Sequence, residues 1–224
     1  MRRSVALLAF ITAVTLLLAI NLFDPFSAPV TYGGFKVCSE ADKDSARRSL
    51  RETLQIGDII LVRDDTVEDL LVSLRYSPYW THAMMYVGGG MVVEGTVRGV
   101  VCSPVWYVLE CEEFCVLRVN TYPHIRLAAA WFACTQIGKP CDGNCFLKQV
   151  YGCSYYCSEI IWASYKAAAT IAGIPCGPDI DGNPGWSPMS GWGVSSAEIF
   201  LDQSTYVVFW CKPEYKETAT IYHE

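Results

Sequence analysis

Histidine is the scarcest chemical group in this chain: His82, His124 and His223 are all that 224 residues provide. Any reaction that needs an imidazole base therefore has few candidates. Charge is thin as well, at 18% of residues, and its balance is acidic, with a formal net charge of −6. No basic stripe is present to neutralise phosphates, which excludes nucleic-acid binding. Internal repeats and low-complexity tracts are lacking, and a hydrophobic content of 52% describes a globular chain rather than a disordered one. The cysteines Cys141, Cys145, Cys153 and Cys157 lack the tight CxxC spacing of structural zinc knuckles, so no metal and no cofactor is expected.

The chain opens on Arg2 and Arg3, followed by an apolar run from Val5 to Phe23. That length lies at the short end of a membrane-spanning helix and is long for a signal-peptide core. No clean small-x-small cleavage site follows, so residues 1–23 are expected to form a signal anchor, with a cleaved signal peptide as the alternative. The two arginines favour the cytoplasmic side, which places the rest outside the cytoplasm, periplasmic or extracellular, or secreted if the segment is cleaved. Eleven cysteines, all beyond this run, fit such an oxidising setting and suggest disulfides. Their odd number leaves at least one unpaired within the chain, without saying which.

Residues 24–50 read as a tether followed by the start of a charged helix, Ser39 to Leu54, with Ala46, Leu50 and Leu54 on one stripe. Residues 51–224 read as the folded domain. Its first strand is GDIILV, Gly57 to Val62, and Thr66 to Arg75 has helical spacing. His82 to Val87 and Met91 to Thr96 are strand-like runs split by Gly88, Gly89 and Gly90, which supply the positive φ of a hairpin turn. Further strands are expected at Val97 to Val101, Phe114 to Val119 and Tyr206 to Trp210. Helices are expected at Pro123 to Ile137 and Cys157 to Ala172, with a Gly/Pro/Trp-rich loop at Gly177 to Gly193. The sum is an α+β domain, an antiparallel sheet with packed helices.

Cys157 stands where the second long helix begins, and unpaired N–H groups there favour a thiolate. On composition alone it could equally be a disulfide half or a buried filler. Among the histidines, His223 is penultimate and His124 follows Pro123 at a helix start. His82 opens an otherwise apolar strand, where an imidazole is either a satisfied core group or a functional one. A turn centred on Gly88 would set His82 directly opposite Glu94, close enough for the carboxylate to fix the imidazole tautomer. Spacing alone does not bring this pair to Cys157.

The segments GDIILVRDD, YWTHAMMYVGGGMVVEGT, IGKPCD and YYCSEIIWASYK, in this order, resemble the permuted NlpC-type cysteine hydrolases of the YiiX/YebB-like group. The resemblance covers Gly57 to Ala168 and, loosely, Val194 to Ile199. It implies a circularly permuted papain-like fold, with Cys157 as nucleophile, His82 as general base and then acid, and Glu94 as the orienting residue. Cys141 departs from the pattern, standing where an aromatic residue is expected. With Cys145 and Cys153 it suggests a locally cross-linked loop.

The expected function is a cysteine hydrolase, an amidase or peptidase acting by Cys–His acyl transfer on an amide, such as one in cell-wall peptide. On the same residues, a lipid acyl hydrolase or acyltransferase is the alternative, and the partners are then a peptide-like, cell-wall or lipid amide or ester. A different class is a non-catalytic, disulfide-rich surface module in which Cys157 is bridged, for instance to Cys153.

Overall fold

The computed structural model describes residues 36–38, 43–63, 79–143, 147–173 and 193–212. The apolar run of residues 1–23, the tether, the expected helix at Thr66 to Arg75, Cys145, His223 and nearly all of the Gly/Pro/Trp-rich loop lie outside them. Residues Gly34–Glu224 form one compact unit. No helix among the described residues is long and apolar enough to cross a membrane.

Seven strands form one sheet in the order β1-β7-β6-β2-β3-β4-β5. They are β1 (Lys36–Cys38), β2 (Ile59–Arg63), β3 (His82–Gly88), β4 (Met91–Thr96), β5 (Gly99–Pro104), β6 (Glu113–Val119) and β7 (Thr205–Cys211). Every pairing is antiparallel except that of β1 with β7. β2 lies mid-sheet between β3 and β6, and its Ile59, Ile60, Leu61 and Val62 are all buried. Covered on both faces, it reads as a continuous apolar run rather than an alternating one.

Helices α2 (Pro123–Thr135) and α3 (Cys157–Ile171) pack together and against β3. Helix α1 (Lys43–Thr53) and a 3-10 turn (Val105–Glu110) enclose the other face. There Ala46 and Leu50 join Ile60, Met84, Val92, Val105, Val108, Phe114 and Phe209 in one buried cluster. The charged helix placed ahead of the domain by its sequence thus contributes to the domain core. Three elements went unread in the sequence: β1, the 3-10 turn, and the short helix α4 (Ser196–Leu201). Ser195 caps α4 by accepting from the N–H of Glu198.

Two details correct the expected register. Gly88, Gly89 and Gly90 all have positive φ, at 96°, 62° and 77°. The tight turn, however, closes with Gly88 opposite Met91, and a bulge follows, so Met84 rather than His82 faces Glu94. The shift is even, and side chains alternate with a period of two, so His82 and Glu94 still share a face. Val97, expected in a strand, sits instead in the β4–β5 turn with its side chain exposed.

At the near end of β2, the buried Asp58 receives two hydrogen bonds from Arg118, at 2.8 and 2.7 Å. The backbone N–H of Gln55 donates to the same carboxylate at 2.8 Å. Three donors converge on one carboxylate, and Arg118 also donates to the Thr53 carbonyl at 2.9 Å, locking the lead-in of β2 to β6.

Candidate active site

His82 is the first residue of β3, and its Nε2 lies 2.7 Å from Oε2 of Glu94 on β4. The pair meets diagonally across the hairpin rather than face to face, a distance within reach of two long side chains. Glu94 is nearly sealed from solvent, with 6% of its side chain exposed, against 17% for His82. A buried carboxylate needs more than one donor, and Tyr107 of the 3-10 turn supplies another, its hydroxyl donating to Glu94 Oε2 at 2.7 Å. Ser103 on β5 also hydrogen-bonds to it.

The other side of His82 meets Cys157, the first residue of α3, through a hydrogen bond between imidazole and thiol. Cys157 is a free, partly buried cysteine. The structure therefore brings together His82, Glu94 and Cys157, the three residues the sequence singled out. His124 is elsewhere, exposed and stacked on Tyr122.

The electrostatics favour an ion pair. Burial works to raise the Cys157 thiol, but the hydrogen bond and charge of His82, with N–H groups of Ala83 and Ser158, outweigh it and hold it below its ordinary value. Burial works to lower His82, yet Cys157 and Glu94 together raise it to about 10. Glu94 is likewise opposed by burial, and His82, Ser103 and Tyr107 keep its carboxyl below the usual range. A thiolate, an imidazolium and a carboxylate then stand in a row. Such a row can supply a nucleophile beside a proton donor whose orientation is fixed from behind.

The start of α3 is held from several sides by residues the sequence reading did not select. The Val194 N–H donates to the Tyr156 hydroxyl at 2.9 Å, and the Ser158 hydroxyl donates to the Val194 carbonyl at 2.7 Å. The neighbours of Cys157 on either side thus grip one residue lying 36 positions downstream of Ser158. Glu159 accepts from the N–H groups of Gln149 at 2.8 Å and Tyr156 at 3.3 Å. Burial pushes its carboxyl up to about 7, against those two bonds. A glutamate three residues past the N-cap is a capping signal that could have found Glu159; the grip on Val194 and the role of Tyr107 depend on contacts distant in sequence.

Several expectations are corrected here. Cys153 and Cys157 are both free thiols, so no bridge joins them, and Cys153 cross-links no loop. Among the described residues no disulfide is formed. Cys141 instead lies in an isolated parallel bridge with Tyr155. No group of three or more His, Cys, Asp or Glu among the described residues is arranged to hold a metal ion.

The fold has a solved counterpart in a crystal structure titled metalloprotein YiiX, from Escherichia coli O157:H7. The two are 20% identical, with a TM-score of 0.53 over 70% of this chain and 97% of that one. That title concerns the neighbour; the described side chains here do not form a set that fits a metal. No curated protein matches the chain in sequence. Residues 53–174, more than half of the chain and the stretch that holds His82, Glu94 and Cys157, match the family of permuted papain-like amidase enzymes, YaeF/YiiX, C92 family. A cysteine beside an imidazole at the start of a helix, in a chain running His, Glu, Cys, is what that match covers, and the chain belongs to this family of papain-like amidases.

Proposed function

We propose that this chain is a cysteine amidase in which Cys157 is the nucleophile, His82 the proton carrier and Glu94 the residue that orients it. The observation that carries this reading is the placement of His82, bonded to a buried carboxylate on one side and to a thiol at a helix start on the other. The substrate class is an amide of peptide character, cell-wall peptide included.

The Cys157 thiolate attacks the amide carbonyl carbon, and the carbonyl electron pair moves onto oxygen. The N–H of Cys157 itself, at the first turn of α3 where helix N–H groups lack intrahelical partners, supports that oxyanion. The His82 imidazolium gives its proton to the departing nitrogen, and the C–N bond breaks to leave an amine and a thioester. Now neutral, His82 takes a proton from water as the water oxygen attacks the thioester. Collapse releases the acid and restores the thiolate–imidazolium pair. Glu94 keeps the imidazole aligned throughout, and Tyr107 keeps Glu94 ionised and in place.

Incubating the domain with panels of cell-wall peptides and phospholipids, while following the mass of the acyl-enzyme, tests this directly. Accumulation of a peptide-derived acyl group on Cys157 supports the reading. Acyl chains from phospholipid on the same residue would reassign the substrate to lipid esters, and no adduct on Cys157 with either panel would sink the assignment.

A further inference from the structure

Alternation along the hairpin creates a geometric problem for the site. Val92 and Met84 face the cluster that contains Ala46 and Leu50, so Glu94 and His82, at even spacing from them, face the same side. The position of Tyr107 agrees, since its hydroxyl reaches both Met84 and Glu94. Helix α3 lies against the opposite side, where Gly95 points. Thiol and imidazole therefore approach from opposite faces of the sheet and meet at the end of β3. The first turn of α3 reaches that place while sitting at backbone contact with β4.

Gly95 is the place where this contact occurs. A Cβ built on it would lie 2.8 Å from the carbonyl carbon of Tyr156, 2.9 Å from the backbone nitrogen of Cys157 and 3.0 Å from the oxygen of Tyr156. All three are backbone atoms, so no side chain can rotate away to make room. Gly95 is not among the glycines with positive φ, so its backbone conformation does not require glycine. What requires it is the peptide bond that leads into Cys157.

We infer that Gly95 is a positioning residue, whose missing side chain sets the distance between the Cys157 thiol and the His82 imidazole and leaves the Cys157 N–H accessible to an oxyanion. This rests on the cysteine-amidase reading above. A methyl group at position 95 moves the helix start outward by several tenths of an ångström or more, and a hydrogen bond between thiol and imidazole is steeply sensitive to such a shift.

The test uses the full chain and mass-spectrometric quantification of iodoacetamide labelling on the Cys157 peptide across pH. The wild-type chain should label with a midpoint below that of an ordinary thiol, about 8.5. Gly95→Ala should keep its circular-dichroism spectrum yet shift that midpoint up by about one unit or more, with labelling near pH 6 slowed about tenfold. Gly88→Ala strains the far end of the same hairpin, where φ is 96°. It should lower stability without moving the midpoint, which separates alignment from general destabilisation. A Gly95→Ala midpoint equal to wild type overturns the inference. Loss of the folded spectrum in Gly95→Ala overturns it too, because the glycine would then serve folding and not alignment. An ordinary wild-type midpoint would instead remove the amidase reading itself.

Discussion

Two buried carboxylates on this sheet have cationic partners, and they behave differently. Asp58 takes two bonds from Arg118 and one from the backbone of Gln55, and its arginine partner cannot give up its proton in water. That cluster is closed, and what it does is hold the lead-in of β2 against β6. Glu94 is held as firmly, by Tyr107 and Ser103, but its partner is an imidazole with a second nitrogen facing a thiol. That cluster is open at one end. The comparison teaches that burial and strong pairing alone do not set the proposed site apart; a transferable proton and an open end do.

The sharpest way to break the comparison is to remove the open end. Cys157→Ala and His82→Ala should each lower amide turnover by several orders of magnitude, about 10³-fold or more. Both should unfold in urea close to the wild-type midpoint. Disturbing the closed cluster should do the reverse. Asp58→Ala leaves the guanidinium of Arg118 without its carboxylate, its side chain only 13% exposed. Urea unfolding should show a loss of about 3–5 kcal/mol, while the pH midpoint of Cys157 labelling in the still-folded protein stays put. A shifted midpoint would mean that the two clusters communicate.

Between these extremes lies Glu94→Gln, which keeps the shape but removes the charge behind His82. Turnover should fall about 10–100-fold, as for other residues that orient a working histidine. Cys157 labelling should move toward higher pH, because the imidazolium that stabilises the thiolate has lost its carboxylate.

A smaller effect is expected at Glu159, whose carboxyl burial raises to about 7 from 4.5. A raised acid favours its protonated form in the folded chain, so its stabilising contribution is complete below about pH 4.5 and lost as pH rises through 7. Glu159→Gln should flatten that part of the stability–pH curve, measured by urea unfolding from pH 4.5 to 8. An unchanged slope would show that Glu159 titrates as an ordinary carboxyl. Smallest of all, Tyr107→Phe should cost a few-fold in turnover through one lost hydrogen bond to Glu94 (about 0.5–1.5 kcal/mol).

Much of this was legible because it is local. The continuous apolar run of β2, the three glycines at the hairpin turn and the helix beginning at Cys157 are all written in neighbouring residues. The hairpin register was not, because three consecutive glycines permit several loop geometries, and the bulge beyond Tyr86 leaves no mark in the residue pattern. The error happened to be even, so it left His82 and Glu94 on one face. Tyr107 could not be read in advance, since a phenol in VWYVLE has no periodicity pointing to Cys157, and Val194 entered only at the edge of a loose resemblance that gave it no role. Their roles come from tertiary contacts alone. The many cysteines suggested bridges on composition, whereas among the described residues Cys115 is buried in the sheet and Cys102, Cys134 and Cys153 remain thiols.

The strand order also has a mechanical meaning. The first strand of this unit, β1, has three residues and lies at one margin of the sheet, where its neighbour among the described strands is β7. Strands β7, β6 and β2 stand between it and β3. Tension applied to the chain ahead of Lys36 would therefore meet that short parallel seam before the hairpin that holds His82 and Glu94.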